Sequence, residues 1–224
     1  MPHVPTHTTR TLQPTSPMVA AVLALAAVMA LSRAALAGPP LICHPFETGS
    51  AALLPWSAGT GWNTPNRSYD VQRLTPDTLR LLTAEAPVLA RMENLRRATI
   101  YAAQDRQVAA ELLAAVLGRA LGAAAEGGRD PLAWFDAGYL LESYRQAESA
   151  FHRDARSSLD RASLTPDGLS GYRLVLKAME LAGSNPEMEF AASLMKEGPA
   201  SAEHRRRAAS GAKAGSLLAR NLSR

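Results

Sequence analysis

The sequence has only one cysteine, Cys43, in 224 residues. A single cysteine excludes a disulfide within the chain and leaves either a free thiol or a bond to another chain. The adjacent His44 adds one further ligand, whereas a structural zinc site needs about four. We therefore expect an inert, partly buried thiol, with a redox role or an intermolecular disulfide at Cys43 as the alternative. We expect no metal and no cofactor.

The sequence also lacks a strong excess of charge of either sign. It contains 24 Lys and Arg and 20 Asp and Glu, a formal net charge of +4. Two of the basic residues, Arg10 and Arg33, lie in the first 37 residues, so the net charge of the remainder falls to +2. Nucleic-acid binding requires a concentrated basic face. We therefore expect no nucleic-acid partner.

Residues 1–37 have the three parts of a cleavable signal peptide. A polar start with one charge precedes an apolar run over 18–31, and Ala35-Leu36-Ala37 provides small residues for cleavage before Gly38. The apolar run is shorter than the roughly 20 residues that a membrane-spanning helix requires. The pattern predicts an exported protein, periplasmic or secreted, without a transmembrane anchor after cleavage. An uncleaved anchor or a buried helix is the alternative interpretation.

Residues 38–73 show no helical periodicity, because Pro and Gly interrupt them repeatedly. They nevertheless contain Trp56, Trp62 and Tyr69, and disordered segments are poor in aromatic residues. We predict that this segment, called the strap, runs in an extended conformation and docks its aromatic side chains onto helices.

Residues 74–224 repeat apolar side chains at helical spacing between Gly and Pro breaks. Thr75-Pro76-Asp77 has the residue types of a helix start and is predicted to open the first helix. Further helices are predicted over 87–104, 105–125, 130–151, 166–182, 186–196 and 202–222. Six or seven helices without strand alternation predict an all-α fold. The short connections favour antiparallel helices, arranged as a bundle or as a short stack of helical hairpins.

The sequence shows two resemblances, one within a single predicted helix and one over most of the mature chain. The segment Trp134-Phe135-Asp136-Ala137-Gly138 resembles part of the first helix of a tetratricopeptide repeat, with an ordinary amphipathic helix as the alternative. Leu41-Ile42-Cys43-His44-Pro45, Leu54-Pro55-Trp56 and the segment 91–101 resemble an uncharacterised group of exported bacterial proteins. That resemblance implies export and a single structural unit, and it supplies no activity.

Glu142 is the one weak catalytic candidate. Leu140-Leu141-Glu142-Ser143 resembles the Glu-Ser of lytic transglycosylases, which implies a cell-wall-cleaving activity with Glu142 as the acid. The Gly-Leu-Met-Gln signature of that family is missing downstream. A helical Glu is usually a solvated or paired residue. Enzymatic activity is thus an open question, and the sequence favours its absence.

Aromatic and basic side chains of two predicted helices form the candidate binding surface. These are Trp134, Tyr139, Tyr144, Arg91, Arg96 and Arg97. For the three arginines, the sequence favours partly buried ion pairs that tie this helix to its neighbours, and binding of an anionic ligand is the alternative. The sequence favours an exported, non-catalytic binding or scaffold module whose partner is a protein or a cell-envelope component. A peptidoglycan hydrolase, such as a lytic transglycosylase-like enzyme, is the second hypothesis.

Overall fold

The helices coincide with the apolar runs of the sequence, and Gly and Pro breaks separate them. The structure, a computed structural model, describes residues 40–59, 61–151, 159, 164, 168–183 and 185–224. The predicted signal peptide and the start of the predicted helix 166–182 lie outside the described residues.

The described residues form nine α-helices and contain no strand, which confirms the predicted all-α class. A short 3₁₀ turn at Val71–Arg73 leads directly into the second of these helices. The helices are α1 (Pro40–Cys43), α2 (Leu74–Leu81), α3 (Val88–Ala102), α4 (Arg106–Ala125), α5 (Pro131–Phe151), α6 (Gly171–Ala182), α7 (Pro186–Ser193), α8 (Gly198–Gly211) and α9 (Leu217–Leu222).

Several predicted helix boundaries are wrong. Helix α6 begins only at Gly171, helix α7 ends already at Ser193, and helix α8 begins already at Gly198. Helix α2 begins before Thr75, because the chain already winds through the 3₁₀ turn that Asp70 caps by accepting a hydrogen bond from the Gln72 N–H. The predicted last helix, 202–222, is two helices in the structure. Gly215 has a φ of 72°, a left-handed conformation that interrupts a right-handed helix. The Ser216 hydroxyl then caps α9 by accepting from the Ala219 N–H.

Helix α5 is the centre of the fold, as its nearly continuous apolar surface predicts. It packs most extensively against α6 and also contacts α3, α4 and α1. The closest approach is at Gly138, where an added Cβ would lie 2.6 Å from the carbonyl oxygen of Gly171. The backbones of α5 and α6 therefore touch, and no side chain fits between them.

The strap lies against these helices. It begins with the helical turn α1, whose Leu41 and Ile42 are fully buried, so this part of the segment is not extended. Trp56 makes an edge contact with Tyr101 of α3, with ring centres 5.7 Å apart, and Trp62 contacts Phe151 of α5. All described residues belong to one compact unit.

Helix α4 differs from the other described helices in its hydropathy. Among the described residues, it is the only helix with the length and composition to cross a membrane, and 33% of its apolar window is buried. Length and composition alone are weak evidence for a membrane span, because core helices of soluble proteins can have both. The face of α4 that includes Val108, Leu112 and Val116 packs into the core.

Candidate functional site

Four polar side chains of α3 form a cluster that we call the strap clamp: Glu93, Asn94, Arg96 and Arg97. The Glu93 carboxylate accepts from Arg96 Nε at 2.8 Å, from Arg97 Nε at 2.7 Å and from the Phe46 N–H at 3.1 Å. Burial alone would raise the pKa of Glu93. These hydrogen bonds and the Arg96 charge outweigh burial, so the pKa of Glu93 lies below its usual value.

The strap clamp satisfies main-chain groups that the irregular strap leaves without partners. The Asn94 side chain accepts from the Leu54 N–H at 2.8 Å and donates to the Ala52 carbonyl at 3.1 Å. The two arginines donate to strap carbonyl oxygens as well, Arg96 to Ile42 and Trp62 and Arg97 to Leu54. Arg96 can therefore be fully buried, because its donors bind a carboxylate and carbonyl oxygens.

Five of the six residues of the predicted binding surface have side chains in the interior of the structure. Trp134, Tyr139, Tyr144, Arg91 and Arg96 are all buried. Arg97 is the exception, with 17% of its side chain exposed. The Tyr144 hydroxyl donates to the Ala109 carbonyl, and the Lys177 ammonium covers the Trp134 ring at 3.7 Å from its centre. These residues hold helices together.

A second buried charge pair joins α3 to α5. Arg91 donates to the Asp136 carboxylate and, through its other nitrogens, to the carbonyl oxygens of Ala86 and Thr83. Burial raises the pKa of Asp136 to about 7, against the opposing charge of Arg91. The second carboxylate oxygen of Asp136 has no partner among the described residues. The pair therefore fixes the loop before α3 but leaves one oxygen poorly solvated.

Glu142 lies at the junction of α5 and α6. Its carboxylate accepts from Arg145 Nε at 2.6 Å and from the Tyr172 N–H at 3.2 Å. The Tyr172 N–H belongs to the first turn of α6, where main-chain donors have no helical partner. One oxygen of Glu142 thus joins α5 to α6, the other pairs with Arg145 within α5, and the side chain lines none of the clefts described below.

A hydrogen-bonded chain of three side chains links α6, α7 and α8. His204 Nε2 lies 2.7 Å from the Tyr172 hydroxyl, and His204 Nδ1 lies 2.5 Å from the Glu189 carboxylate. Burial and the Glu189 charge raise the pKa of Tyr172, which disfavours the tyrosinate that a nucleophile would require. The three residues are far apart in sequence, so no spacing pattern could have revealed them.

Cys43 is a free, half-buried thiol in α1. Burial raises its pKa, and the Arg96 charge only partly opposes this effect. A raised pKa keeps the thiol protonated and lowers its reactivity. The redox role and the intermolecular disulfide stay predictions. Among the described residues, no group of three or more His, Cys, Asp or Glu side chains could hold a metal ion.

A large concave surface, which we call the Tyr69 groove, lies where the strap meets α2 and the end of α3. It consists of two clefts, of about 550 and 980 Å³, that share Asn66 and Tyr69 in their walls. The Tyr69 hydroxyl donates to the Asp77 carboxylate at 2.9 Å. Arg73 lies 3.6 Å from the same carboxylate, and Arg80 donates to it.

The wall of the Tyr69 groove is held by α3. The Tyr101 hydroxyl donates to the Pro55 carbonyl at 2.6 Å and accepts from the Asn66 N–H at 3.0 Å. The Tyr69 and Tyr101 rings are 4.7 Å apart. The sequence pointed to the aromatic side chains of the strap, but not to Arg73 of the 3₁₀ turn and Arg80 of α2, which line this groove with Tyr69.

Comparisons with known proteins give no information about what this groove binds. No model of a known protein family matches the chain, and no curated protein or solved structure matches it. The tetratricopeptide-like pattern at Trp134 and the resemblance to exported bacterial proteins stay predictions. What the groove offers chemically is an aromatic ring, amide groups and guanidinium groups on one open surface.

Proposed function

We propose that this protein is an exported, non-catalytic binding module that holds a cell-envelope component in the Tyr69 groove. Export rests on the three-part signal pattern of residues 1–37. The proposal of binding at the groove rests on the contrast between the buried charged side chains and the exposed ones. The charges of the strap clamp and of Glu142 are satisfied within the protein, whereas Arg73 and Arg80 expose 64% and 67% of their side chains at the groove.

The strap clamp gives this proposal a structural reason. A loop that closes on a ligand loses conformational entropy, and a wall that is already fixed avoids that loss. Leu54, in the wall, is fixed through its N–H by Asn94 and through its carbonyl by Arg97. Pro55 and Asn66 are fixed by the Tyr101 hydroxyl. Buried polar residues of α3 thus preorganise the groove, which is the observation that carries the proposal.

The export part of the proposal is tested by fractionating cells that produce the full chain with a C-terminal epitope tag. We expect the protein in the periplasm or the medium, and we expect its N-terminal residue to be Gly38. Cytoplasmic protein that still begins at Met1 would contradict export. Membrane-bound protein with an intact N-terminus would instead support the uncleaved anchor.

The binding part is tested by sedimenting the exported protein with the insoluble envelope fraction of its own cells. We expect the protein to pellet, and we expect a variant with Arg73→Gln and Arg80→Gln to stay largely in the supernatant. Arg129→Gln is the matched control, because Arg129 is exposed and lines neither cleft. Sedimentation that is equal for all variants, or absent for all, would contradict envelope binding through this groove. Crosslinking to a single protein would point to a protein partner instead.

A further inference from the structure

The shape of the Tyr69 groove suits a linear ligand. Asn66 and Tyr69 line both clefts, so the two clefts are adjacent and a ligand longer than one cleft can contact both. Each cleft has a volume within the range of about 300–1,000 Å³ that is typical of small-molecule sites. A chain of several rings would fill the two clefts, whereas a single small ligand would leave one of them empty.

The middle of the groove is a rigid aromatic surface. Tyr69 is half-buried, packs on Tyr101 and is tied to Asp77 through its hydroxyl. A ring that is fixed on one side and open on the other offers a large contact area at low entropic cost. Rings with an apolar face and polar edges, such as sugars, match an aromatic side chain with this combination.

The rim of the groove carries more positive than negative charge. Three arginines line the two clefts, Arg67, Arg73 and Arg80, against the two carboxylates of Asp70 and Asp77. Asp77 is shared by Arg73 and Arg80, so a single carboxylate faces two guanidinium groups. Arg67 makes no ion pair within the part of the chain that the structure describes. Guanidinium groups match carboxylates through paired hydrogen bonds.

Amide groups supply the remaining contacts. Asn63 and Gln104 are exposed in the larger cleft, and Asn66 accepts from Ser68 but keeps its amide N–H groups for other partners. Amide side chains both donate and accept, which is what the hydroxyl groups of a sugar require. A purely anionic ligand would not need these groups, and a neutral glycan would not need the arginines.

We propose that the Tyr69 groove binds a linear glycan that carries carboxylate groups, such as a chain of uronic acids. The proposal rests on the function proposed above and names its ligand class. The carboxylates pair with Arg67, Arg73 and Arg80, the sugar rings pack on Tyr69, and the hydroxyl groups contact Asn63, Asn66 and Gln104.

The ligand class is tested by titration calorimetry of the purified protein with three probes of six units each. These are a hexasaccharide of uronic acid, the neutral hexasaccharide chitohexaose and hexaglutamate. We expect the uronic-acid probe to bind at least about tenfold more tightly than either other probe, because it alone combines sugar rings with carboxylates. Equal binding of chitohexaose or of hexaglutamate would overturn the proposal, and so would the absence of binding by all three.

Variants connect this binding to the groove. The double variant with Arg73→Gln and Arg80→Gln should have an affinity for the uronic-acid probe that is about tenfold lower. Each exposed guanidinium contributes only a modest part of the binding free energy. Arg129→Gln should leave the affinity unchanged, and urea unfolding should show all variants folded. An unchanged affinity in the double variant would overturn the groove as the site. Envelope sedimentation that persists while the probes fail would reject the ligand class but retain the proposed function.

Discussion

Gly138 of α5 and Gly171 of α6 lie backbone to backbone. A Cβ at Gly138 would lie 2.6 Å from the Gly171 carbonyl oxygen, and a Cβ at Gly171 would lie 2.4 Å from the Gly138 carbonyl oxygen. These distances are too short for any side chain. Because the obstructing atoms belong to backbone, a larger residue would force the two helices apart rather than move a flexible side chain.

Gly138→Ala should therefore destabilise the protein by at least about 2 kcal/mol, although alanine is the better helix former. Gly118→Ala in α4 is the matched control, because nothing lies within 4 Å of its added Cβ. The control should stabilise the protein by about 0.5–1 kcal/mol. Urea unfolding of both variants measures the two effects. Equal effects of the same sign would show that α5 and α6 are not in backbone contact.

Asn94→Ala tests the strap clamp. The variant leaves the buried Leu54 N–H and the Ala52 carbonyl without their side-chain partner. An unpaired buried polar group costs about 1–3 kcal/mol, so we expect the free energy of unfolding to fall by about 2–3 kcal/mol. We also expect a protease to cut the strap faster.

Asn63→Ala is the control for this measurement, because Asn63 is an exposed strap residue. It should change neither the free energy of unfolding nor the rate of strap cleavage. Cleavage of the Asn94→Ala strap at the wild-type rate would mean that the strap is held by its apolar contacts alone.

The sequence predicted the long helices well and the clamp only in part. Helices α4 and α5 follow the predicted bounds, because Asp105 caps the first and Pro131 starts the second. Local signals of this kind decide helix ends wherever no tertiary contact opposes them. The start of α2 was missed because the preceding 3₁₀ turn changes where the helix begins.

The positions of the charged residues could not be predicted from the sequence. Arg96 is fully buried, whereas an arginine in a helix is normally exposed. Its burial depends on the carbonyl oxygens of Ile42 and Trp62, which are distant in sequence. The Tyr69 groove has the same property, because it combines strap residues with Arg80 of α2 and Tyr101 of α3. A local sequence pattern does not indicate which main-chain groups of an irregular segment will contact a helix.

Asp136→Asn should change how stability depends on pH. Burial raises the pKa of Asp136 to about 7 from a usual value of 3.8. Between these values the folded protein binds a proton that the unfolded chain releases, so this residue makes stability fall as the pH rises from about 4 to about 7. Asparagine does not titrate, and the variant should lose this part of the decline.

Chemical unfolding of both proteins between pH 5 and pH 7.5 provides the comparison. Groups near Asp136, namely Arg91, Arg119 and Asp130, are present in both proteins, so their contribution largely cancels. Glu93, whose pKa is lowered in the folded protein, is present in both proteins and contributes equally to both curves. A stability difference between the two proteins that stays constant with pH would mean that Asp136 is ionised throughout.

Glu142→Gln distinguishes the binding module from the cell-wall hydrolase. Glutamine keeps an oxygen that can accept from the Tyr172 N–H, and it loses only the pair with Arg145, whose side chain is 44% exposed. Because the half-exposed Arg145 guanidinium can bind water instead, the variant should lose only about 1–2 kcal/mol of stability and should stay folded. We expect purified peptidoglycan to keep its turbidity with the wild type, with Glu142→Gln and with the exposed control Glu111→Gln. Clearing by the wild type and by Glu111→Gln, but not by Glu142→Gln, would instead assign Glu142 as a catalytic acid, because a structural carboxylate would not separate those two folded variants.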